Sequence, residues 1–275
     1  MTDGKESPQM PAGKQKPCNA LVTGASSGIG AATARTLAAH GLHVHLVARR
    51  ADSLAAIAED IRAHGGTAMP HPADLTDERQ RVALFEKLSN ANLTLDILVN
   101  NAGFGWYGYY NRMPWSTALE MLELNITAVA HLTHLFLPSM RAQALGHIIN
   151  IGSIAGSIPS QGVALYSATK SFIDGFSTAL HRELKGSGVH VSVVRAGPVA
   201  TEFFTTAAHR PAGQAIPAER FATTAQLVAE RIWRLIQRPR RAIYVPASLR
   251  FVPWIETGFG WLMDRIGPLL LRRST

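Results

Sequence analysis

The feature that most limits the possible folds is a regular alternation of short apolar runs with longer helical patterns. Runs such as ILVN, HIINI and VSVV are continuously apolar, which is typical of strands that helices cover on both faces. Repetition of strand and helix in this way predicts βαβ units and a parallel sheet. The predicted strands are Ala20–Thr23, His43–Ala48, Ala68–Pro70, Ile97–Asn100, His147–Ile151, His190–Arg195 and Ala242–Val245.

Helical patterns fill the intervals between these strands, so the predicted class is α/β. We expect a Rossmann-type, doubly wound parallel sheet of about seven strands, with helices on both faces. The predicted helices are Ile29–Ala39, Asp52–Ala63, Asp77–Leu88, Thr117–Ala142, Ala164–Leu184 and Ala218–Gln237. With no internal linker or repeat, we predict one catalytic domain over residues 18–246. Residues 1–17 are predicted to be a disordered lead-in, and 247–275 an apolar and basic extension of the same domain.

A glycine-rich segment joins the first predicted strand to the first predicted helix. It reads Thr23-Gly24-Ala25-Ser26-Ser27-Gly28-Ile29-Gly30, with the spacing G-x-x-x-G-x-G. In a dinucleotide-binding turn, Gly24 permits the tight turn, Gly28 lets the backbone approach a pyrophosphate, and Gly30 lets the helix pack on the strand. The helix N-terminus adds free N–H groups for the phosphates. Glycines also mark plain turns, but the position between strand and helix favours nucleotide binding.

The end of the second predicted strand indicates which nucleotide is bound. An acidic residue there suits the 2′-hydroxyl of NAD, whereas an arginine suits the 2′-phosphate of NADP. The strand ends in Arg49-Arg50, and no Asp or Glu occurs between Gly30 and Asp52. Arg49 is therefore the predicted partner of the phosphate, and NADP(H) the predicted cofactor. The alternative is a solvated arginine pair that only ends the strand.

Three polar residues further along the chain can perform proton transfer. Ser153 follows a predicted strand at its carboxyl end, and Tyr166 and Lys170 lie four residues apart in a helical pattern. That spacing puts the phenol and the ammonium on one face of the helix. An ammonium near a phenol lowers the phenol pKa, which would make Tyr166 a general acid or base at neutral pH. A helical Tyr and Lys alone more often mean packing and solvation.

Taken together, these motifs resemble the short-chain dehydrogenase/reductase family, in its compact single-domain branch, over about residues 17 to 246. The residues that carry the resemblance are Gly24 to Gly30, Asn100-Asn101-Ala102-Gly103, Asn125, Ser153, Tyr166-Ser167-Ala168-Thr169-Lys170 and Gly197-Pro198. The resemblance implies that Tyr166 gives or takes the proton and that Lys170 activates it and binds the nicotinamide ribose. It implies that Ser153 polarises the substrate oxygen. Asn125 would complete the set by holding an ordered water and a helix irregularity for a proton relay.

The resemblance also implies a set of cofactor contacts. Asp74 would lie on the adenine side, Asn101 over the adenosine half, and Val199 and Thr201 at the nicotinamide carboxamide. The complete predicted cofactor set is Gly24, Ser26, Gly28, Ile29, Gly30, Arg49, Asp74, Asn101, Tyr166, Lys170, Val199 and Thr201. The expected activity is hydride transfer between NADP(H) and a carbonyl or secondary alcohol. No metal is expected, because the helical pair His131 and His134 lacks an acidic third ligand.

The segment from Thr201 to Pro217 is the predicted determinant of substrate choice. Phe203 and Phe204 there could line an apolar pocket, or they could be local packing. Pro211 and Gly213 would let the segment act as a lid. Aromatic residues after Asn101, from Phe104 to Tyr110, could form another wall. We expect a bulky or apolar carbonyl substrate.

The formal net charge of +8 is concentrated at the ends of the chain. Residues 18–230 carry 15 basic and 15 acidic residues, whereas 231–275 carry nine arginines against Glu256 and Asp264. The charge therefore argues against a general nucleic-acid surface. The aromatic and basic tail could contact anionic lipid, or it could form a subunit contact or a cover over the active site.

Other expectations concern the surroundings of the protein. The single cysteine, Cys18, fits a reducing compartment, so we expect a cytoplasmic location, with peripheral membrane contact as the alternative that the tail raises. The family resemblance implies a homodimer or homotetramer built from the two long helices. Two rival functions are a non-catalytic NADP(H) sensor and a sugar epimerase or dehydratase. The intact Asn125, Ser153, Tyr166 and Lys170 count against the sensor, and the absence of a long C-terminal substrate domain counts against the second.

Overall fold

The computed structural model describes residues 18–214 and 222–254, together with positions 258, 261 and 265. The predicted lead-in, residues 1–17, lies outside the described residues, as does most of the chain after 254. The strands are β1 (Asn19–Thr23), β2 (His43–Ala48), β3 (Thr67–Pro72), β4 (Ile97–Asn100), β5 (Gly146–Ser153), β6 (Val189–Ala196), β7 (Val199–Ala200), β8 (Thr223–Thr224) and β9 (Ala242–Val245). Seven of them form one parallel sheet in the order β3-β2-β1-β4-β5-β6-β9, which confirms the predicted architecture.

Helices cover both faces of this sheet. They are α1 (Gly28–Ala39), α2 (Ala51–Ala63), α3 (Glu78–Asn90), α4 (Trp115–Leu122), α5 (Ala128–Ala142), α6 (Ala164–Glu183), α7 (Glu202–His209) and α8 (Ala225–Gln237). Side-chain caps fix where several of them begin, because each cap satisfies a free backbone N–H. The Asp77 carboxylate accepts from the Arg79 N–H at the start of α3, and the Thr224 hydroxyl accepts from the Leu227 N–H at the start of α8.

The continuous apolar runs are explained by two cores, one on each face of the sheet. Successive side chains of a strand point to opposite faces. On β1, Ala20 and Val22 therefore join the core beneath α1, α2 and α8, whereas Leu21 joins the core beneath α3, α5 and α6. On β4, Leu98 is on the same side as Leu21. A strand that is buried on both faces has no solvent-facing position for a polar residue, which is why the polar alternation is missing.

The strand order reverses direction at β1. The chain moves outward from β1 to β2 and β3, then returns to the other side of β1 for β4, β5 and β6. The connections after β1 and β4 consequently diverge and leave a crevice at the carboxyl ends of these strands, where open α/β sheets bind their ligands.

The structure differs from the predicted elements at three places. The helix predicted over Thr117–Ala142 begins at Trp115 and is interrupted by a π-helical segment, Glu123–Thr127. The helix predicted over Ala218–Gln237 begins at Ala225, since Thr223 and Thr224 are extended; residues 215–221 lie outside the described residues. Helix α7 forms inside the segment Thr201 to Pro217, for which no helix was predicted, and the Thr201 hydroxyl caps its first turn.

The beginning of the predicted extension is described. A 3-10 turn over Ala247–Phe251 follows β9, and Leu249 packs against Gly197 at the end of β6. Phe251, Trp254 and Trp261 are exposed. Among the described residues, we find no helix with the length and apolar character needed to cross a membrane.

Candidate active site

A large cleft of about 1270 Å³ opens at the carboxyl ends of the central strands. It is lined by almost all of the residues that the sequence nominated, from both the nucleotide set and the proton-transfer set. The nominated residues on its wall are Gly24, Ser26, Gly28, Ile29, Arg49, Asp74, Asn101, Ser153, Tyr166, Lys170, Val199 and Thr201. Gly30 and Asn125 are not on the wall. They lie directly behind it and act through packing and hydrogen bonds.

The turn at one end of the cleft has no space for a side chain at its glycine positions. Gly24 and Gly28 have φ angles of +64° and +54°, which favour glycine strongly. A Cβ at Gly30 would clash with the Gly24 carbonyl and lie 2.6 Å from Nδ2 of Asn101. The first turn of α1 carries no acidic residue, and the Ser27 side chain does not cap it. The N–H groups at the start of α1 therefore face the cleft without a side-chain partner, an arrangement that suits a pyrophosphate.

Asn101 braces this turn. Its side-chain amide donates to the Thr23 carbonyl at 2.8 Å, and its backbone N–H donates to the Thr23 hydroxyl at 2.9 Å. These bonds fix the loop after β4 against the loop after β1. In the structure the Asn101 amide group is thus used to hold the two walls of the crevice together.

Two arginines lie after β2, at the same end of the cleft as the glycine turn. Arg49 donates from Nη1 to Glu120 Oε1 at 3.2 Å and lies 4.0 Å from Asp74 Oδ2. Arg50 donates to the Ser26 hydroxyl at 3.2 Å and pairs with Glu202 at 2.9 Å. Half of each arginine side chain remains exposed. The adjacent guanidinium groups can receive an anionic group such as a phosphate.

Ser153 ends β5 at the opposite end of the cleft. Its hydroxyl oxygen accepts from the Ala155 N–H at 3.1 Å and so begins the 3-10 turn Ile154–Gly156. Because the oxygen is occupied as an acceptor, the hydroxyl hydrogen is available to be donated to another group. Ser153 also lies close enough to Tyr166 to lower the pKa of its phenol.

The pKa of Tyr166 moves in the opposite direction to the sequence prediction. We expected Lys170 to lower it, but burial raises the pKa of Tyr166 to about 12, against a smaller opposing effect of the Ser153 hydrogen bond. The Lys170 ammonium is 5.8 Å from the Tyr166 ring centroid. At that distance it cannot offset the loss of hydration of a phenolate. Tyr166 is consequently a protonated phenol at neutral pH.

Lys170 is buried beneath Tyr166, one turn along α6. Its ammonium donates to the Ile151 carbonyl at 2.9 Å, which fixes the side chain against β5. Burial lowers the pKa of Lys170 to about 8, although Asp174 opposes this effect. The ammonium therefore exchanges its proton close to neutral pH and can influence Tyr166 when another group enters the cleft.

Asn125 lies in the π-helical segment, as the family resemblance implied for a helix irregularity. Its side chain exchanges two hydrogen bonds with the backbone of Phe104, at 3.0 and 3.1 Å, and donates to the Thr169 hydroxyl at 3.1 Å. Thr169 in turn donates to the Tyr166 carbonyl at 2.7 Å. A chain of short bonds thus links the loop after β4 to the helix that carries Tyr166 and Lys170. Irregularities of this type are frequent at functional sites.

Aromatic side chains line the cleft beside Tyr166. The Phe203 ring on α7 lies 5.6 Å from the Tyr166 ring, and a Cβ at Gly105 would lie 2.6 Å from Phe203. Phe104 and Trp106 are buried in the adjoining wall. The pair Phe203 and Phe204, like the wall after Asn101, thus lies on the cleft surface, which is the arrangement that a pocket for an apolar group requires.

Two residues that contact this wall were missed by the sequence. Arg210 follows α7, pairs with Glu120 of α4 at 2.7 and 3.1 Å, and lies over the Phe104 ring. Glu120 occupies what looks like an ordinary surface position in a helix, and Arg210 lies in a loop. Their separation of 90 residues leaves no local pattern from which the pairing could be predicted.

The known sequences that match this chain point to one family. The sequence profile described as short chain dehydrogenase matches residues 18–212. An uncharacterized oxidoreductase of Myxococcus xanthus is 35% identical over 187 residues, which are 68% of this chain and 74% of that protein. A 3-oxoacyl-[acyl-carrier-protein] reductase of Synechocystis is 36% identical over 203 residues, 74% of this chain and 82% of that protein. A very-long-chain 3-oxoacyl-CoA reductase of Coprinopsis cinerea is 39% identical over 188 residues, 66% of this chain, but the match spans only 55% of that protein.

Solved structures give the same result. A metagenomic short-chain oxidoreductase in complex with NADP is 32% identical, with a TM-score of 0.71, and the match covers 82% of this chain and 95% of that one. A short-chain dehydrogenase of Sphingobium yanoikuyae in complex with NADPH is 29% identical, with a TM-score of 0.77 and coverage of 90% and 96%. A bulky-bulky ketone specific alcohol dehydrogenase of Comamonas testosteroni is 26% identical, with a TM-score of 0.73 and coverage of 89% and 93%.

Proposed function

The chain belongs to the short-chain dehydrogenase/reductase family, and from that premise we propose that it is an NADP(H)-dependent oxidoreductase acting on a carbonyl and alcohol pair. One observation carries the proposal. One cleft has a glycine-rich turn and two arginines at one end, and Ser153, Tyr166 and Lys170 at the other. A dinucleotide bound along this cleft has its phosphates and its reactive ring at opposite ends, so both sets of residues are needed at this separation.

The residues along the cleft fit the cofactor. The glycine turn and the start of α1 would hold the pyrophosphate, Arg49 with Arg50 the 2′-phosphate, and Asp74 the adenine side. Lys170 would bind the nicotinamide ribose, and Val199 with Thr201 would lie at the carboxamide. When bound, NADPH supplies the hydride that reduces the carbonyl carbon.

Tyr166 supplies the proton in the reducing direction. Because its phenol is protonated at neutral pH, it can donate to the oxygen on which negative charge develops. The Ser153 hydroxyl donates to the same oxygen, so that two donors stabilise the developing charge. Proton abstraction in the oxidising direction would require the phenolate form of Tyr166 instead.

Lys170 and Asn125 support this transfer from behind the cleft. The Lys170 ammonium favours the phenolate that remains after Tyr166 has donated its proton. Asn125 is a positioning residue, since it ties the Phe104 backbone to the helix of Tyr166 through Thr169. The proton relay implied for Asn125 would return a proton to Tyr166 after each turnover.

The wall beside Tyr166 favours a bulky or apolar carbonyl substrate. Phe104, Trp106, Phe203 and Phe204 all line the cleft at this end, and apolar walls with few polar groups select by shape and size. The ketone specificity in the name of the Comamonas testosteroni enzyme and the 3-oxoacyl substrates in the names of the Synechocystis and Coprinopsis cinerea enzymes agree in class with such a pocket.

The function is tested by following NADPH oxidation with aliphatic ketones, aryl ketones, steroid ketones and 3-oxoacyl thioesters. We expect turnover with at least one bulky class and a loss of about a thousandfold in kcat/KM in Tyr166→Phe. NADPH binding, measured by fluorescence titration, should be retained in the variant. Binding of NADPH without any turnover across the panel would instead favour the sensor function.

The choice of cofactor has its own test. Arg49→Ala should weaken NADPH binding about tenfold or more and leave NADH binding nearly unchanged, because only NADPH carries the 2′-phosphate. Arg35→Ala, which removes a surface arginine that pairs with Asp60 on the outer side of α1, is the matched control. Equal losses for the two nucleotides would assign the phosphate site to other residues.

Partners and location form the last part of the proposal. We infer a cytoplasmic homodimer or homotetramer; the exposed Trp115 and Leu119, one turn apart on α4, offer an apolar surface for a second subunit. The chain after Val245 would contact anionic lipid, form part of the subunit contact or cover the site. Sedimentation with anionic liposomes, comparing the full chain with one that ends at Val245, separates the lipid interpretation from the other two.

A further inference from the structure

Glu120 is shared by two arginines that belong to different parts of the site. Its Oε1 accepts from Arg49 at 3.2 Å and from Arg210 at 3.1 Å, and its Oε2 accepts from Arg210 at 2.7 Å. The hydrogen bonds from Arg210, and then the charge of Arg49, lower the pKa of the Glu120 carboxyl. One carboxylate therefore joins the arginine at the phosphate end of the cleft to the arginine that follows α7.

Arg210 fastens the lid segment, residues 202–214, to the wall of the cleft. Only 14% of its side chain is exposed, and its guanidinium carbon lies 3.3 Å from the centroid of the Phe104 ring. Next to it, the Trp106 indole donates to the Pro211 carbonyl at 3.1 Å, and the Gln214 N–H donates to the Tyr107 carbonyl at 2.9 Å. The Arg210–Glu120 pair is thus the charged member of a compact attachment, with little solvent to screen it.

The lid segment also carries the aromatic wall of the substrate site. Phe203 lies in the first turn of α7, with its ring 5.6 Å from that of Tyr166. Any movement of α7 relative to Arg210 therefore changes the space beside the phenol that donates the proton.

We propose that Glu120 and Arg210 are positioning residues that couple the cofactor's 2′-phosphate to the lid segment. This inference depends on the proposed function, because it takes Arg49 as the partner of the phosphate. Glu120 and a 2′-phosphate compete for the same guanidinium. When Arg49 binds the phosphate, Glu120 pairs with Arg210 alone. The bidentate pair that closes the lid segment then no longer shares the Glu120 carboxylate with Arg49. NADPH thereby favours the closed substrate wall more than NADH does.

The two members of the pair should have opposite effects on phosphate affinity. Glu120→Gln removes the competing anion, so Arg49 should bind a 2′-phosphate more tightly. Arg210→Gln leaves the full charge of Glu120 beside Arg49, so the same phosphate should bind more weakly. Both variants break the attachment and should loosen the lid segment equally. A residue that served only to hold the fold would not produce effects of opposite sign.

The experiment uses the full chain and two nucleotides that cannot react. Titration calorimetry with adenosine 2′,5′-bisphosphate should give about threefold to tenfold tighter binding for Glu120→Gln and weaker binding by a similar factor for Arg210→Gln. Adenosine 5′-monophosphate should bind all three proteins within about twofold. Hydrogen exchange of the α7 amides should be faster in both variants, and the KM for the ketone should rise more than kcat falls.

Two results would overturn the coupling. One is a shift of the bisphosphate affinity in the same direction for both variants, and the other is a matching shift of the monophosphate affinity. Arg210→Lys keeps the charge but not the bidentate geometry, so it should retain wild-type bisphosphate affinity with faster exchange of α7. This variant provides the test if Arg210→Gln does not fold. A wild-type protein that binds the two nucleotides equally would instead refute the phosphate site in the proposed function.

Discussion

The two walls of the cleft beside Tyr166 are held in place by different kinds of interaction. Ser153, Lys170 and Asn125 are all at least nine-tenths buried, on strand β5, helix α6 and the π-helical segment, which pack directly on the sheet. The facing wall is α7, a helix of eight residues that buries only Phe204 and Ala207. It is attached at its two ends by ion pairs with Glu120 and Arg50.

This difference separates the chemistry from the choice of substrate. Buried packing holds the residues around Tyr166 in one geometry whatever the ionic conditions, and the proposed transfer of a proton requires such precision. Ion pairs respond to competing anions and to salt. In the proposed function, the wall that contacts the variable part of the substrate is thus the wall that a bound phosphate can adjust.

The largest effect is expected from the rigid wall. Lys170→Met should lower kcat for ketone reduction by about a hundredfold or more, because no ammonium then stabilises the phenolate of Tyr166. The melting temperature should not fall, since burial disfavours the charged lysine. A variant with near-normal kcat would assign the activation of Tyr166 to another group.

The same residue predicts a pH dependence. Because the pKa of Lys170 is lowered to about 8, the ammonium is present below that pH and is lost above it. The rate of ketone reduction should therefore fall as the pH rises through about 8, while Tyr166 is still protonated. In Lys170→Met this step should be absent from the pH profile of kcat, and its persistence would exclude Lys170 as its origin.

An intermediate effect is expected at the glycine turn, which is held by packing as the rigid wall is. Gly30→Ala should destabilise the fold by about 1–3 kcal/mol and weaken NADPH binding, because the new methyl group would collide with the Gly24 carbonyl. Gly175→Ala is the control. Gly175 lies in α6 with nothing within 4 Å of the added Cβ, so the substitution should raise stability by about 0.5–1 kcal/mol. Thermal unfolding measures both, and equal effects would show that the turn tolerates a side chain.

A smaller effect is expected from the adjustable wall. Phe203→Ala should move kcat/KM toward bulkier ketones by about tenfold relative to small ones, because it removes the ring beside Tyr166. NADPH binding should not change. Thr205→Ala, at an exposed position of the same helix, should leave the preference as it is. Parallel rates on a graded series of ketones provide the measurement, and an unchanged series would remove Phe203 from the substrate site.

The smallest effect is expected at the other end of the lid segment. Glu202 and Arg50 form a pair in which about half of each side chain is exposed, and such pairs contribute about 0–1 kcal/mol. Glu202→Gln should change the ketone KM by no more than about twofold. A change in the ketone KM as large as that of Glu120→Gln would mean that the ion pairs at the two ends of α7 contribute equally to substrate binding.

Local patterns were sufficient for the strands and for the glycine turn. The run ILVN predicted β4 to the residue, and the seven-stranded parallel sheet followed from the alternation of strands and helices. The break in the helix predicted over Thr117–Ala142 could not be read from the residues alone, because a π-helical turn is stabilised by what it contacts. Here the contact is between Asn125 and the backbone of Phe104. Helix α7 was missed for a similar reason, since its short span gives a weak periodic signal.

By itself the sequence determined the parallel sheet, and it nominated the glycine turn and Ser153, Tyr166 and Lys170 as candidates, because these depend on residue type and on spacing along one strand or helix. Only the tertiary structure decided the protonation of Tyr166 and the pairing of Glu120 with Arg49 and Arg210. The loss of hydration that raises the pKa of Tyr166 comes from every element packed around it. The ion pairs join residues that are 71 and 90 positions apart in the sequence, so only folding brings them into contact.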